Sequence, residues 1–145
     1  MKIELRDTSL QAWRELETYQ QSQAAAHGKY GATASFVGTM RDFNEGDTIE
    51  SLFLEHYPEM TLAYMQKIAE EAQQRWDIVD VLMIHRYGEI KPNDTIVVLA
   101  IWAAHREEAF QACRYLIEEL KRRAPFWKKE TLTDNQEARW VEQSR

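Results

Sequence analysis

Apolar residues recur every three or four positions in three stretches of this chain and alternate, or run together, in the others. That contrast separates helices from strands. Ala109, Phe110, Cys113, Leu116, Ile117 and Leu120 have the spacing of one helical face. Pro125 disfavours helical geometry in the residue before it, so this helix is expected to stop by Ala124. Leu10, Trp13 and Leu16 mark a shorter helix that Thr8 or Ser9 can cap. Leu62, Met65, Ile68, Ala69, Ala72 and Trp76 mark a third, capped by Thr61. Lys2 to Arg6 alternates like a short strand. Ala32 to Met40 and Thr48 to Tyr57 read as strands on either side of the loop 41–47, where Gly46 suits a positive φ, and together they predict a hairpin. Ile78 to Tyr87 is a mostly apolar strand, and a turn follows from Gly88 to Asp94. Thr95 to Ala104 is almost continuously apolar, as a strand covered on both faces should be. The tail holds a polar turn at Asp134–Asn135 and a possible last strand from Arg139 to Glu142. Strands joined by tight turns predict an α+β fold with largely antiparallel sheet, in one domain spanning residues 1–145.

Composition narrows the function. The formal net charge is -6, which argues against a general nucleic-acid or membrane-surface binder. One cysteine excludes a disulfide within the chain and suits a reducing compartment. There is no C-x-x-C, no Cys/His cluster for a metal, no apolar leader near Met1 and no run of membrane-spanning length. The expectation is a soluble cytoplasmic protein without metal or cofactor.

Against that acidic background, Lys121, Arg122, Arg123, Lys128 and Lys129 stand together with no acid among them. They either complement the negative end of the helix or form a cationic site. Lys121 falls beside Ile117 at the edge of the apolar face, where a partly dry amine among cations tends toward its neutral, nucleophilic form. Arg41 ends a strand at a loop, a place for an anion contact or simply a solvated side chain. His105 and Arg106 precede the long helix; the pair could meet an anion at its N-terminal amides, or His105 could help cap it. His85–Arg86 and His56 read as structural, and Cys113 as a buried, inert thiol rather than a sulfur carrier.

Several motifs occur together and in order: Gly38-Thr39-Met40-Arg41 with Gly46-Asp47, Leu54-Glu55-His56-Tyr57-Pro58, His85-Arg86-Tyr87-Gly88, His105-Arg106, and the run from Leu120 to Glu130 containing Arg-Ala-Pro-Phe-Trp-Lys-Lys-Glu. In combination they closely resemble the large, catalytic subunit of molybdopterin synthase, over roughly residues 30–142. The resemblance implies an α/β hammerhead with an additional small antiparallel sheet. It implies an enzyme of molybdenum cofactor biosynthesis, a sulfurtransferase that installs the dithiolene of molybdopterin on cyclic pyranopterin monophosphate, precursor Z. Sulfur would arrive as a thiocarboxylate on the C-terminal glycine of a small ubiquitin-like partner. Two large subunits would form the homodimeric core of a heterotetramer, with no nucleic acid or membrane as partner. Matched motif by motif, Lys121 and Lys128 become the catalytic lysines. Thr39, Met40, Arg41, Lys129 and Glu130, with His105 and Arg106 in the dimer mate's pocket, become substrate-binding residues. The chain departs from the family where a later arginine is expected, since Arg145 stands displaced by a residue, and a glycine is missing before Arg139. A nucleic-acid module stacking bases on Phe126 and Trp127, or a non-catalytic scaffold, are the alternatives.

Overall fold

The computed structural model describes residues 1–23, 26–133 and 137–141. Asp134, Asn135, Glu142 and Arg145, and the expectations attached to them, lie outside the described residues. Elements run in the order β1 (Lys2–Arg6), α1 (Ala12–Ser22), β2 (Ala32–Thr39), β3 (Phe43–Asn44), β4 (Asp47–His56), α2 (Pro58–Arg75), β5 (Ile78–Arg86), β6 (Gly88–Ile90), β7 (Thr95–Ala103), α3 (Arg106–Arg123), β8 (Phe126–Leu132) and β9 (Ala138–Val141). This is the mixed α+β arrangement the pattern predicts, and among the described residues only the β1–β5 pair is parallel.

The first sheet has the order β1-β5-β7-β2. It is covered on both faces, which is why β5 and β7 are apolar at successive positions. Val81, Met83, Val97, Leu99 and Ile101 pack under α2 and α3 with Met65, Ile68, Ala112, Leu116 and Leu120. Leu82, Ile84, Val98, Ala100 and Trp102 point the other way, toward Leu10, Ala12 and Leu16 of the α1 side. The second sheet has the order β3-β4-β8-β9, with β6 also paired to β4. Its core is Met40, Ile49, Leu52, Leu54 and Ile90.

Five local expectations are corrected. Strands β2 and β4 do not form a hairpin; β2 pairs with β7, while β4 turns back from β3 through Glu45 and Gly46, both at positive φ. A register shift between Gly38 and Thr39 takes the chain out of the first sheet before β3. Helix α2 begins at Pro58, not after Thr61, because proline fits a first helical position whose N–H has no partner anyway. Helix α1 starts at Ala12, with Gln11 rather than Thr8 or Ser9 at its cap, and this phase leaves Trp13 69% exposed. Phe110 is likewise outside, and Ala112 takes its place on the buried stripe of α3. The expected turn at 88–94 contains the short strand β6.

Candidate active site

An open cleft of about 1280 Å³ lies where the ends of both sheets meet the last turns of α3. Three local devices aim side chains into it. The first is the end of β2. At Gly38 a Cβ would stand 2.8 Å from a Val97 methyl, so a glycine lets β2 and β7 close up beside the bulge that redirects Thr39, Met40 and Arg41. Met40 is then pinned by main-chain bonds to Asn93 and Asp94, at 3.0 and 2.9 Å. Buried Arg86 steadies that turn, donating to the Glu89 carbonyl at 3.0 Å and lying 3.4 Å from the Asp94 carboxylate. Arg41 leaves this anchored point for the cleft, its guanidinium 4.9 Å from the Phe43 ring.

The second device is the C-terminal end of α3, which stops at Ala124 as Pro125 requires. Ile117 and Lys121 share one flank of the helix, and both line the cleft. The third is β8. Strand alternation sends Phe126, Lys128 and Glu130 into the cleft and Trp127 and Lys129 to the outside. Lys129, expected to continue the substrate-binding run, stands on the opposite face of β8, with its ammonium 5.7 Å from the Trp140 ring. Glu130 does face inward, but accepts hydrogen bonds at 3.1 Å from both Asn44 and Arg139. Arg139 also reaches Asp47 at 2.8 Å, so this buried carboxylate ties β9 and the β3–β4 hairpin to the cleft floor.

The cations sort into two groups. Arg122 is paired with Glu119 at 2.7 Å, Arg123 with Glu71 at 2.8 Å, and Arg139 with Asp47 and Glu130. Arg41, Lys121 and Lys128 have no ion pair among the described residues, and all three line the cleft. Three unpaired cations around one cleft suit an anionic ligand. Lys121 is exposed at the mouth, so the dry amine expected there is found elsewhere: it is Lys128. Burial, then the nearby charges of Lys121 and Arg41, outweigh Glu130 and push the Lys128 ammonium down to about 8. Cys113 is buried in the core under α3, and burial pushes its thiol up to about 11.

His105 caps α3 without a side-chain bond and Arg106 opens it. Fifteen residues of helix separate Arg106 from Lys121, about 22 Å. Neither lines the cleft of this chain. Sequence reasoning missed His85, taken as structural, whose ring forms part of the cleft wall. Its only signal was its position at the end of an apolar strand.

The fold and cleft together define a mixed α+β protein whose cleft holds a half-buried amine and cations without ion pairs among the described residues. The chain belongs to the family described as MoaE protein, whose model matches residues 11–123. It is 48% identical over 118 residues to a molybdopterin synthase catalytic subunit of Ralstonia nicotianae, across 81% of this chain and 66% of that protein. Among solved structures, a molybdopterin biosynthesis MoaE protein from Burkholderia ambifaria superposes with a TM-score of 0.78 at 41% identity, over 97% of this chain and 88% of that one. A molybdopterin synthase from Staphylococcus aureus gives 0.84 at 29% identity, over 97% and 98%.

Proposed function

We propose that this protein is the catalytic subunit of a molybdopterin synthase, transferring sulfur from a thiocarboxylated small subunit to precursor Z. The observation that carries the reading is the placement of Arg41, Lys121 and Lys128, unpaired, around one cleft of a MoaE-family chain. The substrate brings a phosphate and the carrier tail a thiocarboxylate, and both need cations. The thiocarboxylate sulfur bonds to a carbon of the pterin side chain, giving a thioester between carrier and substrate. Water then attacks the acyl carbon and an oxyanion forms. The acyl carbon–sulfur bond breaks, leaving the carrier as a carboxylate and the sulfur on the pterin as a thiolate. An ammonium beside the oxyanion lowers the barrier, because the charge it meets develops only at that point. Lys121, exposed at the mouth on a stem beside Ile117, suits this role. Lys128, deeper and with its proton held loosely, suits proton transfer. Thr39, Met40 and Arg41 form the pterin-binding wall, Glu130 positions it, and His105 and Arg106 serve the other protomer's cleft in a homodimer.

No described helix is long and apolar enough to cross a membrane, and a cytoplasmic reaction fits a carrier thiocarboxylate that must stay reduced. The direct test is incubation with thiocarboxylated partner and precursor Z, read by mass spectrometry for the dithiolene. A folded protein that yields none sinks the reading.

Arg41→Ala is expected to weaken precursor binding by roughly ten- to a hundred-fold, the worth of a charge-assisted contact, with little change in partner docking. Calorimetry with each ligand separates the two; unchanged precursor affinity rules the role out. Cys113→Ala should leave sulfur transfer intact, because a thiol held so far up and sealed in the core is no carrier. Only a modest fall in melting temperature is expected from the small cavity. Complete loss of transfer in a stable Cys113→Ala would mean that sulfur passes through this thiol.

A further inference from the structure

His85 ends the apolar run of β5, where nearly every neighbour is aliphatic, and its imidazole is only 8% exposed. Its ring lies flat on Phe126, with centroids 3.9 Å apart and planes at 18°. Phe126 is two residues from Lys128 on the same face of β8, so the histidine forms one continuous wall with the deep amine. The Nδ1 atom stands 2.6 Å from the Arg86 carbonyl oxygen. A carbonyl only accepts, so Nδ1 carries the proton and donates it, and this assigns the tautomer. Nε2 is then left with a bare lone pair. That atom bonds no described residue and is not among the buried orphaned atoms, and the opening beside the ring is the cleft.

Burial, reinforced by the charges of Lys128 and His56 and only partly offset by the Arg86 carbonyl, pushes the imidazole down to about 4. A ring held neutral in that way is too weak a base to take a proton from Lys128. It remains a hydrogen-bond acceptor of fixed direction, among a set of cleft side chains that are mostly cationic or apolar. Such an acceptor answers a neutral N–H donor. A pterin carries N–H donors on its ring edge, whereas its phosphate and the carrier carboxylate offer only acceptors.

We infer that His85 is a substrate-recognition residue, whose Nε2 accepts a hydrogen bond from an N–H of the bound pterin. This rests on the function proposed above. It assigns the cleft's cations to the phosphate and thiocarboxylate, and the imidazole to the heterocycle.

Two substitutions divide the ring between them. His85→Gln puts an amide where Nε2 stands and loses the donor to Arg86. His85→Asn keeps a donor near Nδ1 and loses the distal acceptor. His85→Asn is expected to raise KM for precursor Z about ten-fold, the worth of one neutral hydrogen bond, with kcat little changed. His85→Gln should stay within about three-fold of the parent in both. A residue that serves only to hold Arg86 gives the reverse ranking, and one that serves only as a stacking surface gives equal losses. Either result, or wild-type KM in both variants, overturns the inference. A measurement on the unaltered protein does not depend on the variants folding. With 15N-labelled histidine, the His85 Nε2 resonance should move upfield on saturation with precursor Z while Nδ1 stays put; a stationary Nε2 overturns the inference too. Wild-type binding of precursor Z, measured first, tests the proposed function by itself.

Discussion

Lys121→Ala is expected to lower sulfur transfer by roughly a hundred- to a thousand-fold, the loss seen when one preorganised oxyanion donor is removed. The fold should survive. Lys121 is exposed on the last turn of α3, makes no ion pair among the described residues, and adds nothing to the buried stripe of Ala109, Ala112, Cys113, Leu116 and Leu120. Its two neighbours cannot substitute for it. Arg122 is held by Glu119 and Arg123 by Glu71, and Arg123 bridges α3 to α2 with both guanidinium arms. Lys121→Arg keeps a positive charge at the mouth and is expected to retain intermediate activity, since the proton-mobile amine is Lys128. Single-turnover assays with thiocarboxylated partner give the ranking, with partner affinity followed in parallel. Near-normal turnover in Lys121→Ala removes this lysine from the chemistry.

Lys128→Met should cost more, since proton transfer by a positioned group contributes roughly a hundred- to ten-thousand-fold. It also carries a pH signature. In the wild type the ammonium gives up its proton near pH 8 rather than near the usual 10.5. If the neutral amine is the working form, kcat rises as pH increases through about 8 and levels above it. Arg41 and Lys121 both disfavour the protonated state of Lys128. Removing either positive charge makes protonation easier, so the limb should move to higher pH in Arg41→Ala and in the residual activity of Lys121→Ala. Stability supplies an independent check. The folded state holds this proton less tightly than the unfolded one, so between about 8 and 10.5 the unfolded chain binds more protons and the fold gains stability as pH rises. Lys128→Met should flatten that rise. A limb unchanged in Lys128→Met assigns it to another group.

Much of this was legible in the residues themselves. The stripe through α3 and the unbroken apolar run of β7 mark their own burial, because period and composition are local properties. Pro125 marked the end of α3 for the same reason. The order of motifs around Arg41 and the run from Leu120 to Glu130 marked the family, and the residue types there marked a site for anions.

Tertiary structure decided the rest. The cations between 121 and 129 look alike as a list, and only strand pairing shows which of them are available. Lys128 opposes Leu54 and Lys129 opposes Phe53 in the β4–β8 ladder. The period-two alternation of β8 therefore buries one amine and exposes its neighbour, a choice that a polar run carries no hydrophobic phase to announce. Arg123 is removed from the site by Glu71, 52 residues away, and Arg139 by Asp47, 92 residues away. The depressed proton affinity of Lys128 needs burial together with Lys121 and Arg41 from two other elements. His85 takes the face of β5 that Val81 and Met83 share, and only the tertiary structure brings Phe126 from far along the chain to lie on its ring beside the cleft. Local pattern determines which face of an element is apolar. Which polar groups are left unpaired and dried is a matter of contacts between residues far apart in the chain, and no local window contains them.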